Sequence, residues 1–105
     1  MSIRDRQEGF EKKFAMDEET KFKAMARRNK LLGLWAAEKL GKTGTDAVAY
    51  AKEVVQADFE EAGDNDVFRK VRTDFDTAGV VLSDTQIRSI MDELLATAVE
   101  QIKNN

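Results

Sequence analysis

The sequence predicts an all-α protein: a four-helix bundle with a loosely attached N-terminal helical segment. Three observations predict it. The 105 residues contain no proline, the residue that most strongly disrupts a helix interior. Apolar residues recur at helical spacing in four successive stretches. Between those stretches stand glycines followed by Ser, Thr, Asp or Asn, the sequence pattern that closes one helix and opens the next. A chain of this length holds one core. The 35% of charged residues, set beside 42% of apolar ones, reads as solvated helix faces rather than as disorder.

The first stretch, residues 1–19, stands apart from the bundle expected over 20–105. Its large apolar residues are Ile3, Phe10 and Phe14, with Met16 to the side. Ile3 lies seven residues before Phe10 and eleven before Phe14, so one narrow helical seam holds all three. A narrow seam buries little area, at roughly 25 cal/mol per Å². Gly9 weakens the stretch by about 1 kcal/mol relative to alanine. The segment is expected to be helix-prone but weakly held, able to fray or to fold onto a partner.

The next stretch presents Phe22, Met25, Leu32, Ala36 and Leu40 on one face, broadened by Leu31, Leu34 and Trp35, and Gly41 closes it. Thr45 with Asp46 is expected to open the second bundle helix, whose face runs Val48, Ala51, Val55, Phe59 and Ala62 before Gly63. Asp64 or Asn65 opens the third, with Val67, Phe68, Val71, Phe75 and Ala78 before Gly79. Val80, Val81 and Leu82 have no strand to pair with and read as an apolar connection packed on the bundle. Ser83 and Gln86 form a capping box. The last face then carries Ile87, Ile90, Met91, Leu94, Leu95, Ala98 and Ile102. Trp35, Tyr50 and the phenylalanines beyond residue 20 are expected in the core.

Several functions are disfavoured at once. The chain has no cysteine and no histidine, which removes thiolate chemistry, the commonest general base and the commonest transition-metal ligand. Carboxylates are plentiful, but nothing sets one pair apart, so no catalytic residue is assigned and the protein is read as not an enzyme. The net charge of -3 argues against nucleic acid as a partner. No apolar run approaches the ~20 residues of a membrane span, so no direct membrane insertion is expected. With no signal-peptide core at the N-terminus, a cytoplasmic location is the default.

Three motifs have plainer readings. Gly41-Lys42-Thr43 is like the end of a phosphate-binding loop, but Ala36 stands where that loop needs glycine, so a helix cap and turn is the better account. Asp64 and Asp66 begin like a calcium loop, but Phe68, Arg69 and Phe75 occupy positions that need oxygen ligands or glycine. No metal is assigned. Lys21, Lys23, Arg27, Arg28 and Lys30 form a ten-residue stretch without an acid. Lys23, Arg27 and Lys30 share one helical face, with Phe22 and Met25 expected to face elsewhere. This face suits an acidic protein surface or a phosphate. It equally suits solvent, or the acidic stretch Asp58, Glu60, Glu61, Asp64 and Asp66 of the same chain.

One block is specific. The run from Ala26 through Arg27-Arg28-Asn29-Lys30-Leu31-Leu32-Gly33-Leu34-Trp35 to Gly41, preceded by Lys21-Phe22-Lys23, resembles the zeta-subunit family, small bacterial inhibitors of the F-type ATP synthase. Ala49 to Val55, Asp58 to Asp64, and Met91 to Leu95 are similar as well. The resemblance implies a four-helix bundle without catalytic activity or a required cofactor, peripheral to the membrane-bound synthase. It implies that residues 1–19 enter the catalytic head of that enzyme and block ATP hydrolysis. Ile3, Phe10 and Phe14 would then be apolar anchors, and Arg4, Arg6, Lys12 and Lys13 would make charge contacts. Where the family often carries histidine before its Asp-Glu-Glu run, this chain has Met16. Two other readings remain open on the residues alone: a nucleotide-responsive module taking ADP or ATP weakly at Lys23, Arg27 and Lys30, and a general protein-binding bundle.

Overall fold

A computed structural model describes residues 18–58 and 65–103. They form four helices in an all-α bundle: α1 (Glu18–Lys39), α2 (Gly44–Ala57), α3 (Asn65–Ala78) and α4 (Asp84–Lys103). The long α1 is the centrepiece, packing against α2, α4 and, more lightly, α3.

Helix α1 begins with Glu18 and Glu19 and has Lys39 in its last turn, both favourable to the helix dipole. It ends in a Schellman motif. Gly41 takes φ +79°, the Lys42 N–H donates to the Ala37 carbonyl at 2.8 Å, and the Gly41 N–H donates to Glu38 at 3.1 Å. The buried side of α1 carries Ala24, Arg28, Asn29, Leu32, Gly33, Ala36 and Ala37. Small residues dominate it, so neighbouring backbones come close. The tightest approach is at Gly33, where an added Cβ would lie 2.5 Å from the Ala51 Cα on α2.

Helix α2 starts one residue earlier than Thr45 and Asp46 suggest. The Thr43 carbonyl already accepts from the N–H groups of Asp46 and Ala47, at 3.1 and 3.4 Å, which makes extended Thr43 the N-cap. The buried face is also rotated from the expected one: it carries Tyr50, Ala51, Val54 and Ala57. Val48 is 48% exposed. Turning Tyr50 inward buries far more area than Val48 offers, while Ala51, common to both faces, meets Gly33 of α1. Phe59 and Ala62 lie outside the described residues.

Helix α3 buries Val67, Val71 and Phe75 at four-residue spacing, with Phe68 packed against the core; Ala78, expected on this face, is exposed. Gly79 at φ +75° closes the helix, with the Val80 N–H donating to Phe75 at 2.9 Å. The connection to α4 is apolar as expected at Val80 and Leu82, which pack on the core, but not at Val81, which is fully exposed. Arg72 holds the connection, donating to the Leu82 carbonyl at 2.6 Å and to Asp84 at 3.1 Å. The capping box is formed: the Gln86 N–H donates to Ser83 Oγ at 3.1 Å, and Gln86 Oε1 accepts from the Ser83 N–H at 2.8 Å. Helix α4 then buries Ile87, Met91, Ala98 and Val99. The Trp35 ring meets Phe75 edge-on, centroids 5.6 Å apart.

Two stability changes are expected. Gly33→Ala adds helix propensity but drives a methyl into the α2 backbone, which a rotamer change cannot relieve. It should lower unfolding free energy by about 1–3 kcal/mol in thermal or denaturant melts. Ser83→Ala removes one half of the capping box and should reduce stability by about 1 kcal/mol in the same assay.

Candidate partner-binding surface

The site residues read from the sequence fall into two groups. Ile3, Arg4, Arg6, Phe10, Lys12, Lys13 and Phe14 lie outside the described residues. Lys23, Arg27 and Lys30 lie on α1, exposed and on one side of it.

The basic stretch around them is sorted by the fold. Arg28, counted there as a surface cation, is buried at 1% exposure, and its Nε donates to Asn29 Oδ1 at 2.7 Å. Periodicity carries the reason. Ala24, Arg28, Leu32 and Ala36 are four residues apart, so Arg28 stands on the buried line of α1. Lys23 pairs at 3.4 Å with Glu19 of its own helix, a surface ion pair of small energetic weight. Arg27 donates to Gln101 of α4 at 3.0 Å.

Phe22 corrects two expectations. It is 63% exposed and so is not a core residue. It also does not face away from the cations. Phe22, Lys23, Arg27 and Lys30 line one groove of about 820 Å³ along α1, walled by Val55 of α2 and by Gln101 and Ile102 of α4. A second hollow of about 550 Å³ shares Lys30, Leu34 and Val55 with it and extends along α2 to Val48 and Lys52. The two are therefore continuous. Val48 and Lys52 were not singled out by sequence reasoning as surface features; the rotation of α2 that buries Tyr50 brings them here.

On the other side of α2, a polar cluster joins it to α3. The buried Tyr50 hydroxyl donates to Asp74 Oδ2 at 2.8 Å. Lys70 donates to Asp74 at 2.8 Å and to Glu53 at 3.0 Å. The Lys70 ammonium also lies 5.2 Å from the Tyr50 ring centroid, and Lys42 lies 5.9 Å from it, both within cation–π range. Burial pushes the Tyr50 phenol well above its ordinary value of 10.0, and the Asp74 bond and the Asp74 and Glu53 charges push the same way. Burial pulls Lys70 down, but its bonds to Asp74 and Glu53 outweigh this and hold it above its ordinary 10.5. The phenol is thus kept neutral and the ammonium charged. This is a clamp between helices, with no activated nucleophile. Among the described residues no group of three His, Cys, Asp or Glu side chains gathers to hold a metal ion.

Comparison with known proteins places this geometry. The family profile described as ATPase inhibitor subunit zeta matches residues 1–101. A solution NMR structure shares 53% identity, superposes with a TM-score of 0.70, and is covered over 79% of this chain and 94% of its own. None of the curated proteins compared by sequence matches significantly.

The clamp has a measurable pH signature. The native state binds the Tyr50 and Lys70 protons more tightly than the unfolded chain does. Stability is therefore fully present below about 10 and falls as pH rises through and beyond the ordinary values of 10.0 and 10.5. Tyr50 is the sole tyrosine, so phenolate absorbance should appear only as the fold is lost, and Tyr50→Phe should flatten the alkaline decline in melting temperature.

Proposed function

As the chain belongs to the ATPase inhibitor subunit zeta family, we propose that it inhibits the F-type ATP synthase by inserting residues 1–19 into the catalytic head and blocking ATP hydrolysis. The observation that carries this reading is the reach of the family match: it starts at residue 1 and so includes the stretch preceding α1 as well as the bundle. That stretch has the composition of a helix-in-groove ligand. Ile3, Phe10 and Phe14 are its apolar anchors, and Arg4, Arg6, Lys12 and Lys13 set its orientation by charge.

The physical requirement is differential affinity. A rotary ATPase passes its catalytic interfaces through open and closed shapes, and a bound helix biases that cycle only as far as it prefers one shape. Insertion stalls hydrolysis if the preferred shape cannot progress. The bundle supports the role mechanically. Residues 1–17 lead directly into α1, the helix packed against all three others, so force on the inserted segment is borne by the whole core. In this reading the protein is a regulator rather than an enzyme, working in the cytoplasm at the periphery of the membrane-bound synthase. No helix among the described residues is long and apolar enough to cross a membrane.

Hydrolysis by the isolated catalytic head tests the proposal. The full chain should inhibit, and the Phe10→Ala/Phe14→Ala double variant should inhibit at least about tenfold more weakly, as loss of central anchors does. Its unfolding free energy should change by less than about 1 kcal/mol, because these side chains serve the partner and not the core. Undiminished inhibition by the variant would reject the N-terminal assignment.

A further inference from the structure

The continuous groove on the outer side of α1 is not used by the N-terminal mechanism, and three features of it point to a ligand. Its floor is apolar, with Leu31, Leu34, Val55 and Ile102. Two large apolar side chains on it remain in water, Phe22 at 63% and Val48 at 48% exposure, a pattern typical of an interaction surface. Every charged side chain lining it is a cation, namely Lys23, Arg27, Lys30 and Lys52. This single-sign rim belongs to a chain whose net charge is -3.

We propose that this groove is a docking site for an acidic amphipathic helix of a partner protein, a second contact on the bundle itself and independent of residues 1–19. The dimensions suit a helix. From Phe22 to Leu34 the groove follows α1 for twelve residue steps, about 18 Å at 1.5 Å per residue, or roughly three helical turns. Among the described residues α2 and α4 flank α1 and no helix covers this side of it, so an incoming helix takes the place of a missing neighbour. Apolar side chains at helical spacing would cover Leu34, Val55 and Phe22, while Asp or Glu at its edges would face the four cations. Such a rim speeds encounter and fixes orientation. Lys30 and Lys52 make no hydrogen bond or ion pair among the described residues, so they are available to a ligand.

Charge argues for a partner rather than for the chain's own leading segment. Residues 1–17 carry Arg4, Arg6, Lys12 and Lys13 against Asp5, Glu8, Glu11 and Asp17. Their side chains balance and offer a basic rim no net complement.

The test uses the full-length chain and two synthetic helical peptides of roughly four turns, one of Leu and Glu with Leu at helical spacing, the other with Lys for every Glu. Amide chemical shifts report where each binds. The Leu–Glu peptide should move the amides of Lys30, Leu34, Val55 and Ile102, and the Leu–Lys peptide should not. The Lys30→Glu/Lys52→Glu variant, with an unchanged melting temperature, should bind the acidic peptide at least about tenfold more weakly. Equal binding of both peptides, or shifts away from the groove, overturns the proposal. Two other occupants would overturn it too. If Phe10→Ala/Phe14→Ala moves the groove amides with no peptide present, the chain's own N-terminal segment is the occupant. If sedimentation shows a dimer that Lys30→Glu/Lys52→Glu dissolves, a second copy is.

Discussion

The close approach of α1 and α2 at Gly33 governs the arrangement of the remaining helices. With an added Cβ only 2.5 Å from the Ala51 Cα, glycine is the one residue that lets these two backbones meet as they do. Once they meet, Ala51 faces α1, and burial of Tyr50 in preference to Val48 settles the rotation of α2. Tyr50, next to it, then turns inward toward α3, and Val48 and Lys52 turn outward. The rest of the core follows from that choice. Val54 lies on the same face of α2, and Leu32 and Ala36 continue the buried line of α1. The side chains of Val67, Val71 and Phe75 fill the space between α3 and the α1–α2 pair, and Ile87 and Met91 complete the same cluster from α4. The glycine gives up about 1 kcal/mol of helix propensity, and dense packing of small residues offsets it.

The same geometry divides the molecule by task. The side of α2 that faces α3 is polar at its margin and knit by Tyr50, Asp74, Lys70 and Glu53, which orders the two helices relative to each other. The side of α1 between α2 and α4 is apolar with a cationic margin and is covered by no helix among the described residues. The groove thus lies on the helix with the most extensive packing, and the residues proposed to meet the synthase precede that same helix in sequence. A load applied to α1 spreads through its contacts with all three other helices rather than into a loop.

Much of this was legible in the sequence, and the remainder has identifiable reasons. The capping box at Ser83 and the glycine closures at Gly41 and Gly79 are local chemistry, fully contained within a few residues, and each stands where the residues put it. The stripe Val67, Val71 and Phe75 was legible because α3 is polar on every other side. Helix α2 was not, because Val48, Tyr50, Ala51, Val54 and Val55 surround it with apolar choices, and only a tertiary contact selects among them. Phe22 misled for the opposite reason: a large aromatic residue at helical spacing is normally buried, and nothing local shows that no helix covers it. Arg28 lay in plain view on the Ala24–Leu32–Ala36 line, but its charge drew it into the surface cluster. The family resemblance rested on the Arg-Arg-Asn-Lys-Leu-Leu-Gly-Leu-Trp block, which includes both Arg28 and Gly33. In this chain those two residues lie on the buried side of α1.

The two glycine corners have a consequence for how fast the bundle is made. Each joins helices that are consecutive along the chain, at 40–43 and at 79–83, so the α1–α2 and α3–α4 pairings close over short loops with little entropy lost. Only the seam of α1 with α4 spans most of the polypeptide, as the 74-residue separation of Arg27 and Gln101 shows. Closing that seam, which is second in extent only to the α1–α2 pairing, costs the most chain entropy of any contact in the bundle. The α1–α2 pair is the extensive local one, whereas α3 and α4 touch each other lightly and α4 packs chiefly on α1. The last helix to be made is thus the one whose C-terminal end walls the groove, so the floor between Phe22 and Ile102 is complete only when both ends of the bundle have met.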